Sequence, residues 1–65
     1  MDSQSQEKVI KAGFTIIRVD DYPSPRIKYK DEAHREWNTF EKYPTKAARD
    51  RAYEELRIQQ FILVD

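Results

Sequence analysis

The segment from Thr45 to Gln60 constrains the fold most, because it is the only long stretch with a clear helical period. Thr45 directly follows Pro44 and is predicted to cap the helix. The apolar residues recur at spacings that bring them to one side of a helix: Ala48, Ala52, Tyr53 and Leu56. This alanine stripe needs an apolar cover, which the aromatic segments upstream are expected to supply.

Length and composition limit what else the chain can be. Its 65 residues predict one small domain over 1–65, with a loose segment 1–4 and a tail 61–65. Twelve basic residues balance twelve acidic ones, so no net charge attracts a polyanion. The absence of Cys excludes disulfides and thiolate metal sites, and no apolar run is long enough for a membrane span. We therefore expect a folded, cytoplasmic domain.

Upstream of the long helix, short segments of helix, strand and turn are predicted. Ser5 is expected to cap a short helix that Gly13, the only glycine, ends in a left-handed turn. Phe14 to Val19 is rich in β-branched residues and predicts the first strand. Its apolar residues point to both faces, which indicates cover on both sides or a bulge. The proline-containing segment 20–25 predicts a loop.

The next two segments predict a β-hairpin. Arg26 to Asp31 alternates between apolar and basic residues, and Arg35 to Tyr43 follows a predicted three-residue loop, 32–34. One register satisfies the cross-strand pairs: Tyr29 with Trp37, Ile27 with Thr39, and Lys30 with Glu36. In this register Trp37 is expected to pack on the alanine stripe of the long helix.

Together these segments predict an α+β domain with the order short N-terminal helix, three antiparallel strands and one long C-terminal helix (αβββα). Continuing the last helix beyond Gln60 would turn Phe61 away from the alanine stripe. The segment 61–64 is therefore expected to leave the helix as an extended tail or a short strand.

No pattern in the sequence predicts catalysis or metal binding. Residues 31–34 spell DEAH, the box that names a class of helicases, but the chain has one glycine and no phosphate-binding loop. A hairpin turn is the simpler interpretation. His34 is the only histidine, so neither a zinc site nor a nucleophilic triad can be assembled around it. We predict a protein that is not an enzyme, with no catalytic residue, metal or cofactor.

The hairpin face away from the long helix carries candidates for nucleic-acid binding. They form a basic ladder with one amide and one aromatic ring: Arg26, Lys28, Lys30, Asn38 and Phe40. The strand-to-helix junction reads F-x-x-[FY]-x-T-K-x-A, carried by Phe40, Tyr43, Thr45, Lys46 and Ala48. This junction and the predicted order of elements resemble the arm-type-site-binding domains of tyrosine recombinases and the AP2-like domains. The resemblance implies a sheet that enters the major groove of DNA.

A second set of residues gives more apolar surface than one helix on one sheet face can cover. The candidates for a protein interface are Ile17, Val19, Phe61, Ile62 and Val64. The N-terminal turn and the tail could cover them within one molecule, or a partner or second copy could do so. We predict a small module that binds a protein, including a homodimer, with DNA binding through the sheet face as the alternative. No membrane or small-molecule ligand is inferred.

Overall fold

The computed structural model describes residues 2–65, and over that range it shows two helices and a four-stranded mixed sheet. The elements are α1 (Ser3–Lys11), β1 (Thr15–Asp20), β2 (Arg26–Lys30), β3 (Asn38–Lys42), α2 (Lys46–Arg57) and β4 (Ile62–Val64). The strand order is β3-β2-β1-β4, with β4 parallel to β1 and the other pairs antiparallel. The α+β class is confirmed. The predictions of a three-stranded sheet and of a long helix as the last element are wrong, because the tail adds a fourth strand after that helix.

Helix α1 begins earlier than the sequence predicts, and Asp2 rather than Ser5 is its N-cap. The Ser5 amide donates to the Asp2 carboxylate at 2.8 Å, and this hydrogen bond lowers the pKa of Asp2. The helix starts inside the segment 1–4 that was expected to be loose, of which Met1 lies outside the described residues. Gly13 follows the helix with a φ of 97°, the left-handed turn that only glycine adopts freely.

The tail folds back beside β1 instead of extending the helix. Phe61 has a φ of 65°, and this left-handed residue turns the chain after α2. The Thr15 amide donates to the Phe61 carbonyl at 2.8 Å, and the Asp65 amide donates to the Ile17 carbonyl at 2.9 Å. Of the two forms expected for the tail, the short strand is therefore correct, and it covers β1 within one chain.

Both faces of β1 are buried, as its irregular alternation predicts. Ile16 is 0% exposed and Ile17 is 2% exposed. Lys30 lies directly opposite Ile16 and donates to the Gln6 side chain of α1 at 3.1 Å, so α1 covers the Ile16 face. Leu56 of α2 lines a groove together with Ile17, so α2 covers the other face. The two helices therefore sandwich the centre of the sheet.

The β2–β3 hairpin has a longer connection and a different register than the sequence predicts. Asp31 and His34 exchange backbone hydrogen bonds at 2.9 and 3.2 Å, and the chain reaches β3 only at Asn38. Tyr29 consequently faces Asn38, and a bulge follows between Ile27 and Lys28. All three predicted cross-strand pairs are wrong. The longer loop shifts β3 relative to β2, and the alternation of apolar and polar residues does not predict where a bulge occurs.

The longer loop also carries Trp37 to the sheet face away from α2. The Arg18 guanidinium and the Lys30 ammonium each lie 5.0 Å from the centroid of the Trp37 ring. Arg18 and Lys30 both share the face of Ile16. Contacts of this kind stabilise by about 0.5–2 kcal/mol each. The expectation that Trp37 packs on the alanine stripe of α2 is therefore wrong.

Thr45 caps α2 as predicted, since the Ala48 amide donates to its hydroxyl oxygen at 3.1 Å. The helix ends at Arg57, before the predicted end at Gln60. The Leu56 side chain is half-buried against the sheet, as expected for the end of the stripe.

Arg49 links the first turns of α2 to the loop after β1 through hydrogen bonds. The spacing of apolar residues in the helix did not indicate this role. Its side chain is only 6% exposed. The guanidinium donates to the Asp20 carbonyl at 3.0 Å, to the Asp50 carboxylate at 2.9 Å, and to the Asp21 carboxylate. The hydrogen bond from Arg49 lowers the pKa of Asp21. An ion pair with several hydrogen bonds is the arrangement that lets a buried arginine be tolerated.

Candidate interaction surface

The two edges of the sheet differ in what they offer to another strand. β3 forms one edge. It carries the charged residues Glu41 and Lys42, and it contains the bulge, because Phe40 is the extra residue between the paired Thr39 and Glu41. Charges and bulges are the usual devices that prevent further pairing at an edge. β4 forms the other edge with the sequence Ile-Leu-Val and pairs with β1 in regular register. The β4 edge therefore lacks the protection that β3 has.

Backbone groups of β4 point outward in a pattern fixed by its pairing with β1. The Phe61 carbonyl and the Asp65 amide both bond inward, to β1. Successive residues of a strand turn their amides and carbonyls to opposite sides. The backbone amide and carbonyl of Leu63 therefore also point toward β1. The amide and carbonyl of Val64 and the carbonyl of Ile62 then face the open edge. The Ile62 amide makes a long hydrogen bond, 3.4 Å, to the Gln59 carbonyl.

Apolar side chains flank this edge. Ile58, the C-cap residue of α2, is 80% exposed, and Val64 is 40% exposed. A groove of about 290 Å³ lies between the end of α2 and β4. Its lining residues, here called the β4 surface, are Arg57, Ile58, Ile62, Leu63 and Val64. Single exposed aliphatic residues are common, but a cluster of them beside an open strand edge is typical of an interaction site.

Only part of the predicted protein interface lies on this surface. Ile62 and Val64 belong to it, whereas Ile17 is buried within the chain. Phe61 is 53% exposed, and Val19 is 39% exposed without lining the β4 surface. The sequence prediction missed Ile58. A signal was present, because Ile58 lies two residues after Leu56 and so points away from the alanine stripe.

The five predicted nucleic-acid-binding residues lie on two faces of the sheet rather than one. Asn38 faces Tyr29, and the rings of Phe40 and Tyr29 pack edge to face with centroids 6.3 Å apart. The basic residues alternate with Tyr29 along β2 and so occupy the opposite face: Arg26, Lys28 and Lys30. The prediction that all five are exposed together is wrong, because the shifted register and the bulge move Asn38 and Phe40 to the other face.

Each of these basic side chains has a partner within the chain. Arg26 is 9% exposed, and its guanidinium donates to the Ser24 carbonyl and hydroxyl, both at 3.1 Å. The Lys28 ammonium lies 3.2 Å from the Asp20 carboxylate, and Lys30 bonds to α1. Phosphate binding would compete with these contacts. The expected exposure of Arg26 is wrong, while binding of nucleic acid by this face stays a prediction.

A wider groove of about 620 Å³ lies between α2 and the hairpin, where Phe40 and Leu56 form part of its wall. Of its lining residues within the range 2–65, Asp31 alone is charged, and its carboxylate accepts a hydrogen bond from the His34 amide at 2.8 Å. The DEAH segment thus forms the predicted turn. Across residues 2–65, no three His, Cys, Asp or Glu side chains are placed to hold a metal ion. No helix in the same range is long and apolar enough to cross a membrane.

Comparison with known proteins identifies no relative: no family model, no curated protein and no solved structure matches the chain. The resemblance to recombinase and AP2-like domains stays a prediction. The three-stranded architecture that it implies differs from the four-stranded mixed sheet found over residues 2–65.

Proposed function

We propose that the chain is a small non-enzymatic protein-binding module whose partner adds a strand to the outer edge of β4. The observation that carries the proposal is the contrast between the two sheet edges. β3 has charges and a bulge, whereas β4 has three aliphatic residues in regular register. In strand addition, main-chain hydrogen bonds supply affinity, and pockets beside the edge select side chains. The outward groups of Ile62 and Val64 and the β4 surface match these two requirements.

The exposed side chains set the scale of the interaction. Complete burial of an aliphatic side chain stabilises by about 1.5–3 kcal/mol, and Ile58 starts at 80% exposed. Association itself costs at least about 4 kcal/mol in lost freedom of motion. A strand of three residues with one flanking side chain therefore supports a reversible interaction rather than a permanent one.

A peptide with the sequence of residues 59–65 is the direct probe of this edge. We expect it to cause saturable NMR shift changes at the Val64 amide and the Ile58 methyl groups, with little change at the Lys42 amide of the other edge. The Val64→Lys variant should lose these changes, because a charge at the edge opposes pairing. The matched variant Glu41→Lys, on β3, should keep them.

A second peptide, with Leu63→Pro, controls for unspecific apolar contact, since proline disfavours an ordered strand. Strand addition at β4 would be refuted if the wild-type peptide left Val64 unshifted at millimolar concentration. Equal shifts with the two peptides would refute it as well.

DNA binding remains the alternative, because Lys28, Lys30 and the exposed Arg18 share one face. Retention of the protein on duplex DNA that falls steeply as salt rises would support this alternative. Retention unaffected by Lys28→Ala and Lys30→Ala would exclude the basic face as its site.

A further inference from the structure

The geometry points to a second copy of this chain as the partner of β4, in a two-fold antiparallel strand pair with Leu63 on the axis. The inference rests on the proposed function and names the partner for the same surface. A two-fold pair requires a surface that is complementary to itself. Three features of the β4 surface meet that requirement.

The first feature is the direction of the backbone groups. The backbone groups of Ile62 and Val64 point to the open edge, whereas those of Leu63, which lies between them, point to β1. With the axis at Leu63, Ile62 of each copy lies opposite Val64 of the other, and both pairs can exchange backbone hydrogen bonds. Moving the axis to Ile62 or Val64 would leave one of these residues without its partner. The long bond from the Ile62 amide to Gln59 is readily given up for a shorter one.

The second feature is the match between side chains. Val64 shares a sheet face with Ile62 and Ile17, the face of α2. In this register, Val64 of one copy enters the groove of the other, against Ile62 and beside Ile58. Leu63 meets Leu63 on the opposite face. Every cross-strand pair is aliphatic, so no charged group is desolvated in the centre of the contact.

The third feature is that the charged residues at the two ends of β4 have partners within each chain. The Asp65 carboxylate accepts a hydrogen bond from the Gln6 side chain at 3.1 Å, and the Arg57 guanidinium lies 2.8 Å from the Glu54 carboxylate. The strand pair therefore brings no uncompensated charge against a like charge at its ends.

The same arrangement also explains why association would stop at two copies. Joining the β4 edges makes one continuous sheet with the order β3-β2-β1-β4-β4-β1-β2-β3. Its two outer edges are both β3, which carries the charges and the bulge. Protected outer edges end further strand addition.

Sedimentation equilibrium of the full chain over a concentration series tests the inference. We expect a reversible monomer–dimer equilibrium that Ile58→Lys shifts at least about tenfold toward monomer, since a charge would be buried in the contact. Ile58 is 80% exposed, so this variant should keep the wild-type circular dichroism spectrum and unfolding transition. Tyr22→Lys is the matched control, because Tyr22 is 83% exposed and outside the β4 surface.

Cysteine substitution tests the register, and the absence of native Cys gives a clean background. Opposed residues in a non-hydrogen-bonded antiparallel pair have Cα atoms about 4.5 Å apart, within the range for a disulfide. Leu63→Cys should therefore form a covalent dimer under mild oxidation, and Val64→Cys should do so much more slowly. The reverse order of cross-linking would overturn the register.

The two proposals fail in different ways. A chain that stays monomeric at millimolar concentration, while the peptide of residues 59–65 still binds at Val64, would overturn the second copy as partner and leave the binding module intact. Absence of both peptide binding and dimerisation would overturn both proposals. A dimer that Ile58→Lys leaves unchanged would place the contact elsewhere and refute this inference.

Discussion

Ile16→Ala is expected to lower the free energy of unfolding at 25 °C by about 2–5 kcal/mol. Ile16 is 0% exposed and lies on the central strand β1, between β2 and β4. Truncating a buried isoleucine to alanine costs about 2–5 kcal/mol, because transfer energy is lost and a cavity remains. A domain of this size has a total stability of about 3–10 kcal/mol. The substitution therefore removes a large share of the stability.

Urea unfolding, followed by circular dichroism and Trp37 fluorescence, measures this loss. The matched control is Ile58→Ala, which makes the same chemical change at a residue that is 80% exposed. We expect the control to change the free energy of unfolding by less than about 0.5 kcal/mol under dilute conditions. Equal losses for the two variants would show that Ile16 is not in the core.

Arg49→Met is expected to cause the second largest loss, about 1.5–3 kcal/mol. Methionine keeps much of the aliphatic packing and removes the hydrogen bonds to Asp20, Asp21 and Asp50. The two carboxylates are more than half exposed and return to water, so the loss stays below that of a fully buried ion pair. Arg51→Met, on the exposed side of α2, is the control and should be nearly neutral.

The pH dependence separates ion pairing from packing in this cluster. Since Arg49 lowers the folded-state pKa of Asp21, the stability from the pair is fully present above the ordinary aspartate pKa. It is lost as the pH falls through the lowered folded-state value. The difference in the free energy of unfolding between wild type and Arg49→Met should therefore decrease as the pH falls from about 6 to about 2. It should not reach zero, because the bond from Arg49 to the Asp20 carbonyl persists. A stability difference independent of pH would assign the effect to packing and to the bond with the Asp20 carbonyl, and not to the ion pairs.

Local signals in the sequence predicted local structure well. Thr45 before a periodic segment identified the start of α2, and Gly13 identified the left-handed turn before β1. Of the two explanations for the mixed faces of the first strand, cover on both sides is correct and a bulge is not. These features depend on side chains within a few residues of each other, so a pattern of spacing is enough to predict them.

Long-range pairing explains most of what the sequence did not predict. β4 pairs with β1 from the other end of the chain, and nothing in the three residues Ile-Leu-Val specifies that partner. The hairpin register depended on how many residues the turn at Asp31 uses, and the bulge near Lys28 has no sequence signal. The same register error placed Asn38 with the basic residues.

The candidate site was predicted in part for the same reason. Ile62 and Val64 were recognised as surplus apolar surface, but their position at an open edge follows only from the sheet order. Ile17 was included among the interface candidates although it is buried. The sequence did not show that α2 and β4 cover it, because that cover also follows from the sheet order. Ile58 was missed although its spacing from Leu56 places it away from the alanine stripe in a helix that ends at either Arg57 or Gln60.

Amide hydrogen exchange of Leu63 and Val64, measured by NMR at low and high protein concentration, tests whether β4 completes the sheet and leaves its outer edge open. In dilute protein, the Leu63 amide should be protected by its bond to β1, and the Val64 amide should exchange close to the rate of an unfolded chain. At high concentration, Val64 should become protected, while the amides of β3 stay unchanged. Fast exchange at both residues would contradict the strand, and a Val64 rate independent of concentration would contradict the second copy.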